Sequence, residues 1–444
     1  MPYMNKKVIF WSISVALGGF LFGFDTAVIS GAEQAIQQYW ALSPFEHGLT
    51  VSIALIGTIL GALTGSIPSE KLGRKKTLII IAVIYLLASV GTAFATNWYI
   101  FLFFRFLGGI GVGASSVTAP VYISEISPAK SRGRLVALFQ FNIVFGILVS
   151  YLSNYLIGQD GEHSWRLMLG VQVIPSVLFL ILMKYVPESP RWLIVKKGRV
   201  EEATAVLKIV NPRDYATEVN DIKEDMTSHH EKRSDILFTR KNRFPVFLAI
   251  VFAVFNQVSG INAIIYYAPR IFEMTGLGKE SSLLSSVGIG AVNFLFTLLA
   301  INFIDRFGRR TLMLIGSVGL IATLGLVSRA FYLNDFGGFS VTILLLVYIA
   351  FFAFSQGAVI WVFISEIFPN QVRAKGQTLG SLTHWVMAAI IAFIFPMLTE
   401  NIGGGHTFLF FCIMMVLQLI FVWKIMPETK GKSLEQLEHT LVMH

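Results

Sequence analysis

An all-α membrane protein with twelve transmembrane helices is the fold the sequence predicts, and three observations carry it. The 444 residues are 55% hydrophobic and only 14% charged, with mean hydropathy +0.68, whereas soluble domains carry about 25% charged residues. Twelve apolar runs each approach the roughly 20 residues a helix needs to cross a bilayer. Short motifs of the first half recur in the second half at nearly one offset.

The runs lie near 8–30, 48–68, 78–96, 99–122, 135–157, 167–186, 245–272, 282–304, 312–332, 340–364, 377–398 and 407–426. They divide the chain into a six-helix half (1–186), a polar interval (187–243), a second six-helix half (244–426) and a tail (427–444). Helical patterns at Pro190–Lys197 and Val200–Ile209, mixed charge and Pro212 make the interval a set of short surface helices and not a second domain.

Net charge is +9, from 35 Lys and Arg against 26 Asp and Glu. Its distribution removes nucleic acid as an expected partner. The basic residues gather at Lys6-Lys7, Lys71 to Lys76, Lys130 to Arg134, Lys184 to Arg243, Arg306 to Arg310, Arg373 with Lys375, and Lys424 to Lys432. All these loops share one side if the spans alternate; the other side has Arg166, Arg270, Lys279 and Arg329. The positive-inside rule then places both termini in the cytoplasm of a cell-membrane protein. Lys6-Lys7 and the run after it lack a small-residue cleavage site, so an uncleaved first helix is expected. Cys412 is the single cysteine, which excludes an intramolecular disulfide.

Three ordered motif pairs indicate a duplicated six-helix unit. Gly73-Arg74 after span 2 matches Gly308-Arg309 after span 8, 235 residues on. Ser124-Glu125-Ile126-Ser127-Pro128 matches Ser365-Glu366-Ile367-Phe368-Pro369, 241 on, and Pro187-Glu188-Ser189 matches Pro427-Glu428-Thr429, 240 on. Internal repeats of this kind underlie transporters that rock about a central site.

Two polar features interrupt the apolar spans. Asn256-Gln257-Val258-Ser259-Gly260-Ile261-Asn262, followed by Tyr266-Tyr267-Ala268-Pro269, sets three carboxamides in span 7, where each unpaired polar group costs several kcal/mol, of order 2–7. Carboxamides donate and accept without charge, which suits sugar hydroxyls. Gly260 and Pro269 can break the helix, and interrupted helices mark substrate sites in secondary transporters. Such amides also serve as ties between helices, and the residues alone leave both readings open. The second feature is Asp25 in span 1, within Gly18-Gly19-Phe20-Leu21-Phe22-Gly23-Phe24-Asp25, with Arg105 in span 4 as its expected counter-ion. A fixed structural ion pair is the alternative. No nucleophile–base pair, metal-ligand spacing or phosphate loop is present, so neither an enzyme nor a metal or other cofactor is expected. Gly108 to Gly113 imitates a dinucleotide fingerprint but sits inside an apolar helix.

The Gly-Arg loops, Arg132-Gly133-Arg134, Pro187-Glu188-Ser189-Pro190-Arg191-Trp192-Leu193 and Pro427-Glu428-Thr429-Lys430-Gly431 together resemble the sugar porter family of the major facilitator superfamily over essentially the whole chain. That family includes bacterial proton:sugar symporters and facilitative glucose transporters. Ser66 stands where the family usually has Gly, and Glu70 where Asp is more frequent.

The resemblance implies two pseudo-symmetric six-helix halves, a small cytoplasmic helical segment and a mid-membrane sugar site. It implies sugar contacts from Gln140, Asn256, Gln257, Asn262, Tyr267, Asn293, Trp361, Phe22, Gln356, His384 and Trp385. At the His384 position the family often has Gln or Asn, and around Gly357 facilitative members have prolines that are missing here. A Trp face can stack on the C–H side of a pyranose. Proton-coupled members carry Asp and Arg at the Asp25 and Arg105 positions, and facilitative ones usually lack the carboxylate. Arg74, Glu125, Arg132, Glu188, Arg191, Arg309, Glu366 and Arg373 are implied as a cytoplasmic gate of ion pairs between the halves. The expectation is a proton-coupled hexose or pentose symporter, monomeric in the bilayer, with a facilitative uniporter as the alternative. A non-transporting sugar sensor is a weaker one, because residues 427–444 make a short signalling tail.

Overall fold

The computed structural model describes residues 5–128, 131–158, 161, 163–228, 236–369 and 372–430; the expected tail lies outside the described residues from 431 on, as do 229–235 of the polar interval. Among the described residues there is no strand, and twelve helices are long and apolar enough to cross a membrane. Spans 1 to 6 are Lys6–Tyr39, Pro44–Thr64, Arg74–Ala93, Trp98–Glu125, Arg132–Ile157 and Ser164–Tyr185. Spans 7 to 12 are Arg240–Met274, Lys279–Ala300, Arg309–Leu333, Ser340–Ile367, Arg373–Asn401 and Gly403–Lys424. The all-helical, twelve-span expectation is borne out. Span 1 outruns its apolar stretch because Glu33 and Gln37, which end the hydropathy signal, are paired inside the protein.

The chain packs as two compact units: Met1–Thr26, Ile56–Ser150 and Arg166–Arg233 in the first, and Ala27–Leu55, Tyr151–Trp165 and Ser234–His444 in the second. Within the first, span 3 packs on spans 4 and 6; within the second, span 9 packs on spans 10 and 12, and span 7 on span 11. One core of the second unit joins Phe252, Leu312, Val359, Ile360 and Phe363.

Local chemistry sets the helix ends. Ser43 and Glu46 form a capping box before span 2: Glu46 Oε2 accepts from the Ser43 N–H at 2.9 Å, and Ser43 Oγ accepts from the Glu46 N–H at 3.3 Å. Asn97 Oδ1 caps span 4 through the Ile100 N–H at 3.0 Å. Arg166 covers the end of span 3, donating to the carbonyls of Ala93 and Ala95.

The sequence repeat is reproduced in atomic detail. Gly73 and Gly308 share an unusual backbone, φ 101°, ψ 162° and φ 89°, ψ 161°, each ending one helix and starting the next. The helix that follows begins on a carboxylate: Arg74 and Lys75 N–H groups donate to Glu188 at 2.9 and 3.0 Å, and Arg309 and Arg310 N–H groups to Glu428, both at 3.0 Å. Free N–H groups and the helix dipole both favour an anion there. A Cβ would come within 2.3 Å of Glu188 Oε2 at Gly73 and 2.6 Å of Glu428 Oε2 at Gly308. This backbone region is nearly confined to glycine, at about 1–3 kcal/mol for other residues. Gly73→Ala and Gly308→Ala should therefore each lower the thermal unfolding temperature in detergent. Gly133→Ala, where nothing lies within 4 Å, should not.

Residues 187–228 form three short helices, Pro190–Lys197, Val200–Val210 and Tyr215–Ser228. The third was not legible from the sequence. Ser189 Oγ accepts from the Trp192 N–H, Pro190 opens the first helix and left-handed Gly198 ends it. Trp192, Leu193, Leu207, Val219 and Ile222 make a small core, and the Trp192 indole donates to the Glu70 carbonyl at 2.7 Å.

Candidate functional site

In the first unit, span 1 reaches span 5 closely enough that a Cβ on Gly23 would lie 1.8 Å from the Ile143 carbonyl oxygen. Two residues further along the same helix is Asp25. Arg105 Nη1 donates to Asp25 Oδ1 at 2.9 Å, with side-chain exposures of 3% for Arg105 and 7% for Asp25. The Nε and Nη2 groups of Arg105 have no hydrogen-bond partner among the described residues. A buried guanidinium held by one oxygen is costly to strand, so the carboxylate and its charge state matter strongly here. The expected counter-ion is thus the observed one. Phe22, also expected, is buried in the same helix, and Gln140 is half-buried in span 5.

In the second unit, span 7 is broken where the sequence suggested. Helix Arg243–Val258 ends, Gly260 adopts a left-handed φ of 87°, and helix Ile261–Met274 follows. A Cβ at Gly260 would lie 2.6 Å from the Phe411 ring. The freed Ser259 carbonyl accepts from the Tyr348 hydroxyl at 2.9 Å, a partner the sequence did not reveal. A second irregularity falls at Tyr267, φ −122°, two residues before Pro269. Span 10 is interrupted too, at Ser355 (φ −112°, ψ −90°), between Ser340–Phe354 and Gln356–Ile367.

These breaks bring the carboxamides together. Gln257 is the hub. Its Nε2 donates to Asn256 Oδ1 at 2.8 Å and lies 3.2 Å from His384 Nδ1; its Oε1 accepts from Asn262 Nδ2 at 2.6 Å. Asn256 Nδ2 reaches the Gln356 carbonyl at 3.5 Å, and Gln356 Nε2 donates to the Met415 sulfur at 3.3 Å. Trp361 and Trp385 each set a ring 4.9 Å from the His384 ring. Gln257 is 1% exposed and Trp361 37%, so the cluster grades from a dry hub to an open aromatic edge. A group that both donates and accepts can exchange into such bonds without leaving a charge behind.

Not every expected contact residue has a free polar group. Tyr267 is fully buried and its hydroxyl donates to the Ala392 carbonyl at 2.8 Å, a tie between spans 7 and 11. Asn293 is half-buried in span 8.

Four of the expected gate residues form two ion pairs, each within its own unit. Arg74 Nε and Nη2 clasp Glu125 at 3.0 and 3.1 Å in the first unit; Arg309 does the same with Glu366 at 3.1 and 2.7 Å in the second. Arg132 Nε donates to the Ser124 carbonyl and Arg373 Nη2 to that of Phe368. Arg191 is exposed at the start of its helix. Burial raises the pKa of Glu188, against the pull of the Ser189, Lys75 and Arg74 N–H groups and the Arg74 charge. Glu428, its counterpart, accepts from the Arg309 and Arg310 N–H groups as Glu188 does from those of Arg74 and Lys75.

A family model described as "Sugar (and other) transporter" matches residues 11–441. A glucose transport protein of Synechocystis is 38% identical, over 97% of this chain and 97% of its own. The D-xylose-proton symporter of Escherichia coli is 36% identical, over 98% of this chain and 96% of its own. Among solved structures, the xylose transporter XylE of E. coli in a partially occluded inward open conformation superposes with a TM-score of 0.85 at 33% identity, covering 97% of this chain and 100% of that one. The chain is a multi-pass membrane protein of the sugar transporter family, within the major facilitator superfamily.

Proposed function

We propose that the chain carries a monosaccharide, a hexose or pentose, across the cell membrane together with a proton, by alternating access and as a monomer. The observation that carries the proton coupling is the buried Asp25–Arg105 pair. A carboxylate inside a membrane span needs its partner while charged and releases it on protonation, which gives one residue two states that differ in what holds span 1 to span 4. Gln257, Asn256, Asn262 and His384 would hold the sugar hydroxyls, with Trp361 and Trp385 against its apolar face and Gln140, Asn293, Phe22 and Gln356 completing the contacts. Both termini would be cytoplasmic, a placement the basic loops support. The Arg74, Glu125, Arg132, Glu188, Arg191, Arg309, Glu366 and Arg373 set would act as the cytoplasmic gate, its clasps re-pairing between halves when that side closes.

The names of the relatives support both a hexose and a pentose: one is a glucose transport protein and another a D-xylose-proton symporter. Uptake of a panel of radiolabelled sugars into proteoliposomes, with and without an imposed pH gradient, tests the reading. Accumulation of at least one monosaccharide that collapses with the gradient is expected. No monosaccharide transported under either condition would sink the proposal.

A further inference from the structure

One buried charged cluster in the second unit has no part in this scheme. Glu33 and Gln37 of span 1, His47 of span 2 and Arg270 of span 7 converge there. Arg270 donates from Nε to Glu33 Oε1 at 2.9 Å and from Nη2 to Oε2 at 2.8 Å, and Nη2 also reaches Gln37 Oε1 at 2.5 Å. His47 Nε2 lies 2.6 Å from Glu33 Oε2. The Glu33 and His47 side chains are fully buried and that of Arg270 is 21% exposed. The His47 ring meets Tyr267 edge-on at 6.0 Å, and Glu273, hydrogen-bonded by Gln34, is a second carboxylate acting on Arg270.

A buried ion pair is weak evidence of a stability role, because apolar residues of the same volume often do as well. The position of this one is more informative. Glu33 and His47 flank the loop between spans 1 and 2, and Arg270 approaches the loop between spans 7 and 8. Both loops lie opposite the basic loops. Arg270 also sits just past the Tyr267 and Pro269 irregularity, on the helix that carries Asn262. Around it, first-half segments dock on second-half helices: the Tyr151 hydroxyl donates to the Ile265 carbonyl at 2.6 Å, and a Cβ on Gly48 would lie 2.1 Å from the Phe393 carbonyl oxygen. The two-pronged grip of Arg270 on Glu33 therefore crosses from the first half of the chain to the kinked end of span 7. Such a contact is strong while dry and is replaced by water when the segments part, a two-state element.

We propose that Glu33, Gln37, His47 and Arg270 form a charged latch that holds the outer side of the transporter shut, and that Arg270 must leave Glu33 before the site can open outward. The latch rests on the alternating-access reading but not on the identity of sugar or ion. The test uses the full chain with Cys412→Ser and a single reporter, Asn262→Cys, in right-side-out and inverted vesicles, labelled with a membrane-impermeant maleimide. Glu33→Gln and Arg270→Gln should each raise labelling from the outer face several-fold, and the double variant should add little to either one. Parent-level labelling in both single variants would overturn the latch. Should Glu33→Gln not fold, Gln37→Leu at the rim carries the same expectation with a smaller rise, and no rise overturns it equally. Labelling requires neither sugar nor proton movement, so a chain that fails the uptake assay can still show the latch. A rise confined to the inverted vesicles would support the latch and overturn the orientation of the termini instead.

Discussion

Asp25→Asn should abolish uphill, pH-driven sugar accumulation and leave sugar binding in place. The substitution keeps the shape of the side chain and an acceptor oxygen for Arg105, but it has no proton to take up or release. In the parent, one proton moving with a neutral sugar draws on about 2.3 kcal/mol per 100 mV of membrane potential. A pH difference of one unit adds about 1.4 kcal/mol. Since each 1.4 kcal/mol is about tenfold, the two together support accumulation of several hundred-fold, and the variant should lose all of it. A stability loss is also expected, because Arg105 remains a guanidinium in a site where, among the described residues, Asp25 is its side-chain acceptor. Stranding one member of a buried pair costs about 3–5 kcal/mol, and the amide oxygen offsets part of that. Sugar uptake and proton movement measured together in proteoliposomes separate the outcomes. Asp25→Asn that still accumulates sugar with proton flux intact requires a different proton carrier. A parent that equilibrates sugar without moving protons makes the protein a uniporter, with Asp25–Arg105 a structural tie.

The fold was legible because the bilayer makes hydropathy nearly decisive. A helix is the form in which a single segment satisfies its own backbone inside lipid, so twelve apolar runs imply twelve helices. The repeat was legible for a different reason: Gly73 and Gly308 occupy a backbone region that glycine alone tolerates well, so the residue type survives where the geometry does. The break at Gly260 was readable for the same reason. The break at Ser355 was not, since serine is ordinary in helices. There the neighbour carries the signal: a Cβ on Gly316 would lie 2.0 Å from Ser355 Oγ, a contact across two spans that no local pattern encodes. Long-range pairing limits the reading of side chains in general. Tyr267 could be picked out as a polar aromatic near the amides, but its bond to Ala392, 125 residues away, turns it from a free hydroxyl into a tie. Glu33 and Arg270 are 237 residues apart and lie near where the apolar pattern stops, so no local pattern joins them.

Gln257→Ala should weaken sugar binding by about 1–3 kcal/mol, roughly five- to 150-fold in Kd, the usual penalty for leaving polar partners unpaired. The structure makes Gln257 the residue whose loss reaches furthest. Truncation removes the acceptor of Asn262, the donor to Asn256 and the contact with His384 in one step. The surrounding helices are positioned by other bonds: Tyr348 holds the Ser259 carbonyl and Tyr267 that of Ala392. The variant should therefore elute as a folded protein in detergent while its affinity falls. Tyr267→Phe makes the complementary case. Its hydroxyl is engaged with the backbone, so the change should lower thermal stability by about 0.5–1.5 kcal/mol, the net worth of one hydrogen bond, with sugar affinity close to the parent. Calorimetric titration of both variants with the sugar identified by the uptake panel reads the difference. Parent-like affinity in Gln257→Ala removes the carboxamide cluster from the sugar site, and a larger affinity loss in Tyr267→Phe than in Gln257→Ala moves the site toward the kink at Tyr267.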